Sequence, residues 1–148
     1  MSTRREIVLD QEHDRTELVC ELIELACNPE TNVFSLTFRG CLPMHNQSGI
    51  NLKRFLRANT TLERLTFSSG TYTYNTLMAV AEAMRTNDTL KQLIVYRTPG
   101  FEHEDELIQV FAKVLRTGPA RPDFSRWAIF IDVGAIDKVP FMVRDPRK

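Results

Sequence analysis

The sequence predicts an α/β fold, a short right-handed solenoid with a parallel sheet on its concave face and helices on its convex face. Three observations predict it. One helix-then-strand unit recurs at a spacing of 28 or 29 residues, each unit carries its own start and stop signals, and the strands alternate apolar with polar side chains. A fixed period of this length marks stacked repeats, in which no single unit can bury its apolar face alone.

Two segments align without a gap. In 52–67 and 80–95 an apolar helical stripe is followed by Asn59 or Asn87 and two short polar residues. Leu-x-x-Leu-x-apolar comes next, as Leu62, Leu65 and Phe67 or Leu90, Leu93 and Val95, with corresponding positions 28 apart. An upstream copy has Leu22 and Leu25, then Asn28, then Val33, Leu36 and Phe38, with two extra residues after the helix. Leu36 and Leu65 are 29 apart, and a further step of 29 back reaches Ile7 and Leu9, the expected opening strand. Downstream, Leu107, Ile108, Phe111 and Leu115 restore the stripe and Gly118 takes the place of Asn. A longer loop over 118–126 then delays a strand at 127–131.

Each element has a physical reason. Apolar residues at i, i+3 or i+4, and i+7 give a helix one buried stripe. Asn and Gly tolerate the left-handed backbone that closes a helix, so Asn28, Asn59, Asn87 and Gly118 are expected to stop the four helices in that way. Starts are expected at Asp14 with Glu17 three later, at Ser48, at Thr73, and at the acidic turn of Glu102, Glu104 and Asp105. Helices and strands alternating through short connections imply a parallel sheet. Leu36, Phe38, Leu65, Phe67, Leu93 and Val95 are expected to face the helices, and Ser35, Thr37, Arg64, Thr66, Gln92 and Ile94 to face away. A doubly wound sheet, covered on both faces, makes its strands apolar throughout. The alternation favours helices on one side.

Leu-x-x-Leu-x-apolar after an Asn-closed helix resembles the ribonuclease-inhibitor-type leucine-rich repeat. The resemblance covers about residues 6 to 116, roughly four repeats, with a weaker copy at 127–132. Cys41 stands where that family has Asn or Cys; Gly70 and Thr98 occupy the place in the next two units. The side-chain ladder that normally satisfies this turn is therefore expected to be incomplete, and the turns irregular. The resemblance implies a binding scaffold. The repeat is also similar to that of the Ran GTPase-activating proteins, which makes a regulator of an enzyme such as a GTPase the alternative.

Composition narrows the function. The 148 residues fit one domain with a real core. Residues 1–132 are expected to form the solenoid and 133–148 a C-terminal capping or extended tail. Lys plus Arg and Asp plus Glu are both 19, and zero net charge opposes phosphate-driven binding of nucleic acid. No apolar run approaches the roughly 18 residues that span a bilayer, and residues 1–10 lack the apolar centre of a secretory signal. Cys20, Cys27 and Cys41 are an odd set without metal-ligand spacing, and Cys20 and Cys27 are expected as small core residues on one helix face. A reduced chain of the cytoplasm or nucleus is the expectation. The glycosylation patterns at Asn46, Asn59 and Asn87 then have no consequence.

Glu12-His13-Asp14 and Glu102-His103-Glu104-Asp105 are the sharpest enzyme-like features, since His with carboxylates suits a metal or acid–base work. Both sit where a helix begins, where the dipole favours acids, and adjacent helical residues point apart. They read as helix starts. A metal-dependent enzyme is the further alternative; no cofactor and no metal are expected. His45 has no evident partner, and there is neither a Gly-x-Ser-x-Gly nor a glycine-rich phosphate loop. Glu12, Glu17, Glu21 and Glu24 on the first helix are expected to attract Lys53, Arg54 and Arg57 on the second, weakly for each exposed pair.

The open sheet face is the expected binding surface. Its residues run from polar (Ser35, Thr37, Arg39) through mixed (Arg64, Thr66, Ser68) to apolar (Ile94, Tyr96). Tyr and Arg are favoured in binding hot spots, and an exposed apolar patch demands cover. Arg39, Arg64, Thr66, Ile94 and Tyr96 are the candidate partner-binding residues. The chain is expected to be a non-catalytic scaffold, adaptor or subunit of a larger assembly, binding a protein through this face or a solenoid end. In the tail, 139–143 is strand-like, with Pro140 suited to an edge. It is expected beside the last strand, with Phe141 and Met142 buried and 144–148 free. Either Trp127 and Phe130 or Ile129 and Ile131 are expected to face the helices.

Overall fold

The computed structural model describes residues 5–10, 20–21, 23–25, 28–40, 46–98, 101–117, 127–132 and 141–144, with the side chains of 10, 29, 127, 129–132 and 141–144 excepted. The chain is α/β, and the elements alternate. In order they are β1 (Arg5–Asp10), β2 (Val33–Arg39), α1 (Asn46–Ala58), β3 (Arg64–Phe67), α2 (Tyr74–Met84), β4 (Gln92–Arg97), α3 (Glu104–Thr117), β5 (Trp127–Asp132) and β6 (Phe141–Arg144). Residues 20, 21 and 23–25 are also helical, and a 3-10 turn at Pro29–Thr31 leads into β2. The strands form one sheet in chain order, with β1 to β5 parallel and β6 antiparallel to β5.

Register follows the sequence period. Leu36 pairs with Leu65 and Leu65 with Leu93, while Phe38 pairs with Phe67 and Phe67 with Val95. Stacking repeat-mates in this way concentrates their apolar side chains, and all six are at most 1% exposed. Leu52, Leu56, Leu77, Val80, Met84, Leu107, Phe111 and Leu115 close the core from the helices. Phe38 and Phe67 stack with ring centroids 5.1 Å apart, and Tyr72 meets Phe67 and Phe101 edge-on. Each buried side chain of this size contributes about 1.5–3 kcal/mol.

Three expectations about element ends are corrected. Among the described residues, the non-glycine positions with left-handed backbone are Asn32 and His103, so Asn28, Asn59 and Asn87 do not close helices by that conformation. They act through their carboxamides. The Asn59 oxygen accepts from the amides of Thr61 and Leu62 at 3.0 and 2.6 Å, that of Asn87 from Thr89 and Leu90 at 2.9 and 2.7 Å, and that of Asn28 from Glu30 at 3.0 Å. Buried amides in a turn need an acceptor, and a side chain supplies it without strain. Gly118 lies outside the described residues.

Helix α1 begins at Asn46, so Ser48 lies inside it and not at its start. Its hydroxyl is buried 3.7 Å from the Cys20 thiol, and the neighbouring Gly49 is buried facing α2, where an added Cβ would stand in ordinary contact with the Thr76 Cα at 3.6 Å. Small residues serve packing there. Thr73 does cap α2, in a reciprocal box with Thr76. Helix α3 starts at Glu104, leaving Glu102 in the preceding turn. Asp14 and Glu17 lie outside the described residues.

Burial corrects the first unit. Ile23 is fully buried and Leu25 is 48% exposed, so the core stripe of that segment is rotated from the expected Leu25. The Leu25 carbonyl accepts from the Asn28 amide and the Thr31 hydroxyl, which places Leu25 at the helix end. Leu22, Cys27 and Cys41 lie outside the described residues, and Cys20 is half-buried. At the other edge, Ala128 pairs with Leu93 and is fully buried, and Phe130 holds the next core-row register position beside Val95. The expected inward pairs, Trp127 with Phe130 or Ile129 with Ile131, concern side chains outside those described. Strand β6 runs through Arg144, which pairs with Trp127 and so does not belong to a free end; it begins after Pro140, which lacks an amide to give. The expected burial of Phe141 and Met142 lies outside what is described of their side chains.

The turn after β3 is also more complete than expected. Gly70 has a left-handed backbone (φ 82°), and its amide donates to the Thr98 hydroxyl at 2.9 Å. The Tyr72 hydroxyl donates to the Tyr96 carbonyl at 2.9 Å and accepts from the Thr98 amide at 3.0 Å. Thr98 and Tyr72 thus bond backbone groups of this turn where an incomplete ladder was expected. Burial of Tyr72 pushes its phenol above the ordinary tyrosine value, the bonds from Thr98 opposing in part. Unfolded Tyr72 ionises at about pH 10 while folded Tyr72 stays neutral, so its contribution is complete below that pH and fades above it. Tyr72→Phe should cost about 1–3 kcal/mol at pH 7 by orphaning two backbone groups. The gap to the parent protein should narrow at pH 11 in urea unfolding; a gap that widens would refute this account.

Candidate functional site

The candidate surface is the sheet face opposite the core. Alternation places there the residues between the buried rows, and the register lines them up. One row runs Glu6, Ser35, Arg64, Gln92 and the next Val8, Thr37, Thr66, Ile94. Thr37, Arg64, Thr66, Gln92 and Ile94 are half-buried, whereas Ser35, in register with Glu6 and Arg64, is only 4% exposed. A half-buried row beside a sealed one is what a sheet with one core face produces.

Of the five predicted residues, the structure brings Arg64, Thr66 and Ile94 together on adjoining strands, with Thr66 and Ile94 direct register partners. Tyr96, one step further along β4, is half-buried. Arg39 is exposed at the end of β2 in register with Asp10; β3 stops at Phe67, so no β3 residue bridges Arg39 to Tyr96 in the ladder. Ser68 stands in that gap, half-buried, its amide donating to the Phe38 carbonyl at 2.8 Å. Arg39 thus stands apart from the other four.

Arg64 is held in place. Its Nε donates to the Gln92 side-chain oxygen at 2.9 Å, and beside it Lys91 and Glu63 form an ion pair at 3.3 Å. Phe34, Glu63, Arg64, Lys91 and Gln92 line a shallow, mainly polar cavity of about 200 Å³. Sequence reasoning missed this cluster. The signal was present: Glu63 with Lys91 and Arg64 with Gln92 are repeat-mates, each pair 28 apart.

The acid–histidine segment before α3 has a local geometry. His103 adopts φ 64° and its carbonyl accepts from the Leu107 amide, closing the first turn. Its ring meets Tyr74 edge-on, and Nδ1 lies 3.6 Å from Glu106. Glu104 receives both Nε and a terminal nitrogen of Arg97 at 2.7 and 2.8 Å, a fork that ties the end of β4 to α3. Among the described residues no three His, Cys, Asp or Glu side chains converge to hold a metal ion. His13 and His45 lie outside them. No helix among the described residues is long and apolar enough to cross a membrane.

The surface therefore offers two hydroxyls, a positioned guanidinium, an aliphatic side chain and a tyrosine on a backbone whose amides are already bonded within the sheet. Such groups can bind a complementary surface by hydrogen bonds and apolar contact. Among known proteins, no family model, no curated protein and no solved structure matches this chain.

Proposed function

We propose that the chain is a short solenoid of the ribonuclease-inhibitor leucine-rich-repeat type and that it is a non-catalytic protein-interaction module. Its open sheet face engages a protein partner, as a scaffold, an adaptor or a subunit of a larger assembly. The observation that carries this reading is the register row Thr37, Thr66, Ile94, half-buried and turning from polar to apolar beside Arg64 and Tyr96. A repeat period equal to the strand register supports the solenoid, because each unit then adds one strand beside its predecessor. An aliphatic residue flanked by Tyr and Arg is the composition of interface centres.

The test starts from affinity purification with mass spectrometry, to identify the protein that copurifies with the full chain. Ile94→Arg and Tyr96→Ala should each weaken that partner by more than about tenfold, with the melting temperature little changed. Full retention of the partner by both folded variants would exclude this face.

A further inference from the structure

The helix side carries a charge pattern that the sheet face does not explain. An arginine directly follows a buried residue near the end of three successive helices: Arg57 after Leu56, Arg85 after Met84, Arg116 after Leu115. All three are exposed, as are Arg54 and Lys113 one turn earlier on α1 and α3. Helix α1 packs on α2 and α2 on α3, so these cations succeed one another from helix to helix. The α2 residue at the repeat position of Arg54 is Glu82, whose carboxylate is taken by Lys53. Arg57 and Arg85 add to the pull that keeps Glu82 ionised, after the Lys53 hydrogen bond.

Lys53 thus pairs with the next helix along, and among the described residues neither Glu21 nor Glu24 forms the ion pair expected from the sequence; Glu12 and Glu17 lie outside those residues. Arg54 lies over the Phe55 ring at 5.6 Å, and among the described residues none of Arg54, Arg57, Arg85, Lys113 and Arg116 has an ion-pair partner. The helix dipole favours a cation in a last turn, which accounts for Arg57 and Arg116. The dipole also accounts for Glu104, Asp105 and Glu106 in the first turn of α3, but not for Arg54.

We propose that Arg54, Arg57, Arg85, Lys113 and Arg116 form a docking stripe for an extended acidic segment of a partner protein, separate from the sheet face. Packed helices stand about 8–10 Å apart, and an extended chain in the polyproline-II conformation, with three residues per turn and a rise of about 3.1 Å each, carries every third side chain on one face about 9 Å apart. An acidic side chain at every third residue therefore meets successive helices. Four of the five cations are arginines, whose forks bind carboxylates through two parallel hydrogen bonds. Single-stranded nucleic acid would need open aromatic faces for its bases, and Phe55 is half-buried with Arg54 over its ring.

Fluorescence anisotropy of the full chain with a labelled peptide carrying Glu at every third position among Gly and Ser tests this. Binding should weaken as salt rises. It should fall at least about tenfold in the triple variant Arg57→Gln, Arg85→Gln, Arg116→Gln and stay unchanged in Ile94→Arg. If the triple variant melts early, Arg85→Gln alone should still weaken binding by about threefold. The proposal is overturned by no binding of the spaced peptide, by equal binding of one with contiguous glutamates, or by unchanged affinity in folded variants. Tighter binding of oligothymidylate, or of phosphatidylserine–phosphatidylcholine vesicles, overturns it as well. The Ile94 variant reports on the sheet face and the arginine variants on the stripe, so the two readings fail separately.

Discussion

Asn87→Ala should destabilise the protein by about 3–5 kcal/mol, against a total stability of about 5–15 kcal/mol for a domain. Asn87 is 2% exposed and saturates its carboxamide. Its oxygen accepts from Thr89 and Leu90, and its nitrogen donates to the carbonyls of Leu56 at 2.6 Å and Asn59 at 3.1 Å. One side chain thus closes its own turn and ties it to the preceding unit. Alanine would leave several of these backbone groups without partners where water does not reach, and each such group costs about 1–3 kcal/mol. Asn87→Asp keeps the acceptor and loses the donor, so it should also destabilise, with a charge held near two carbonyls. Urea unfolding of the three proteins measures this. Either variant within about 0.5 kcal/mol of the parent would mean that the carboxamide does not join the units.

Leu65→Ala should cost about 2–5 kcal/mol. Leu65 is fully buried between Leu36 and Leu93 in the sheet, in the middle of the core, with neighbours that cannot collapse into the space without moving the strands. Thr66→Ala, one residue on and half-buried on the other face, should cost less than about 1 kcal/mol. The contrast tests register, because a slip of one residue exchanges the two faces. Equal denaturation midpoints for the two variants would contradict the register described above.

Much of the architecture was legible before any coordinates. The 28- and 29-residue spacing of Leu36, Leu65 and Leu93 became the strand register itself, since residues in equivalent positions of stacked units pair directly. The alternation in 64–67 and 92–95 named the buried and half-buried rows. Thr73 was readable as a cap because its partner is three residues away. The polar-to-apolar drift from Thr37 to Ile94 was likewise readable.

Other features depend on what lies beside them in space. Asn59 and Asn87 were placed correctly and assigned the wrong device: backbone tolerance is a property of the residue, while the amides waiting at Leu62 and Leu90 exist only once the turn is formed. The same holds for Thr98, whose hydroxyl meets the Gly70 amide from the next unit, and for Lys53, which found Glu82. Sequence periodicity therefore determined the order of the elements and the apolar faces of β2 to β4 and α1 to α3, because those follow from local geometry and burial. Partner choice among polar groups was decided by assembly, because a hydrogen bond or an ion pair forms only when two repeats bring a donor and an acceptor within about 3 Å.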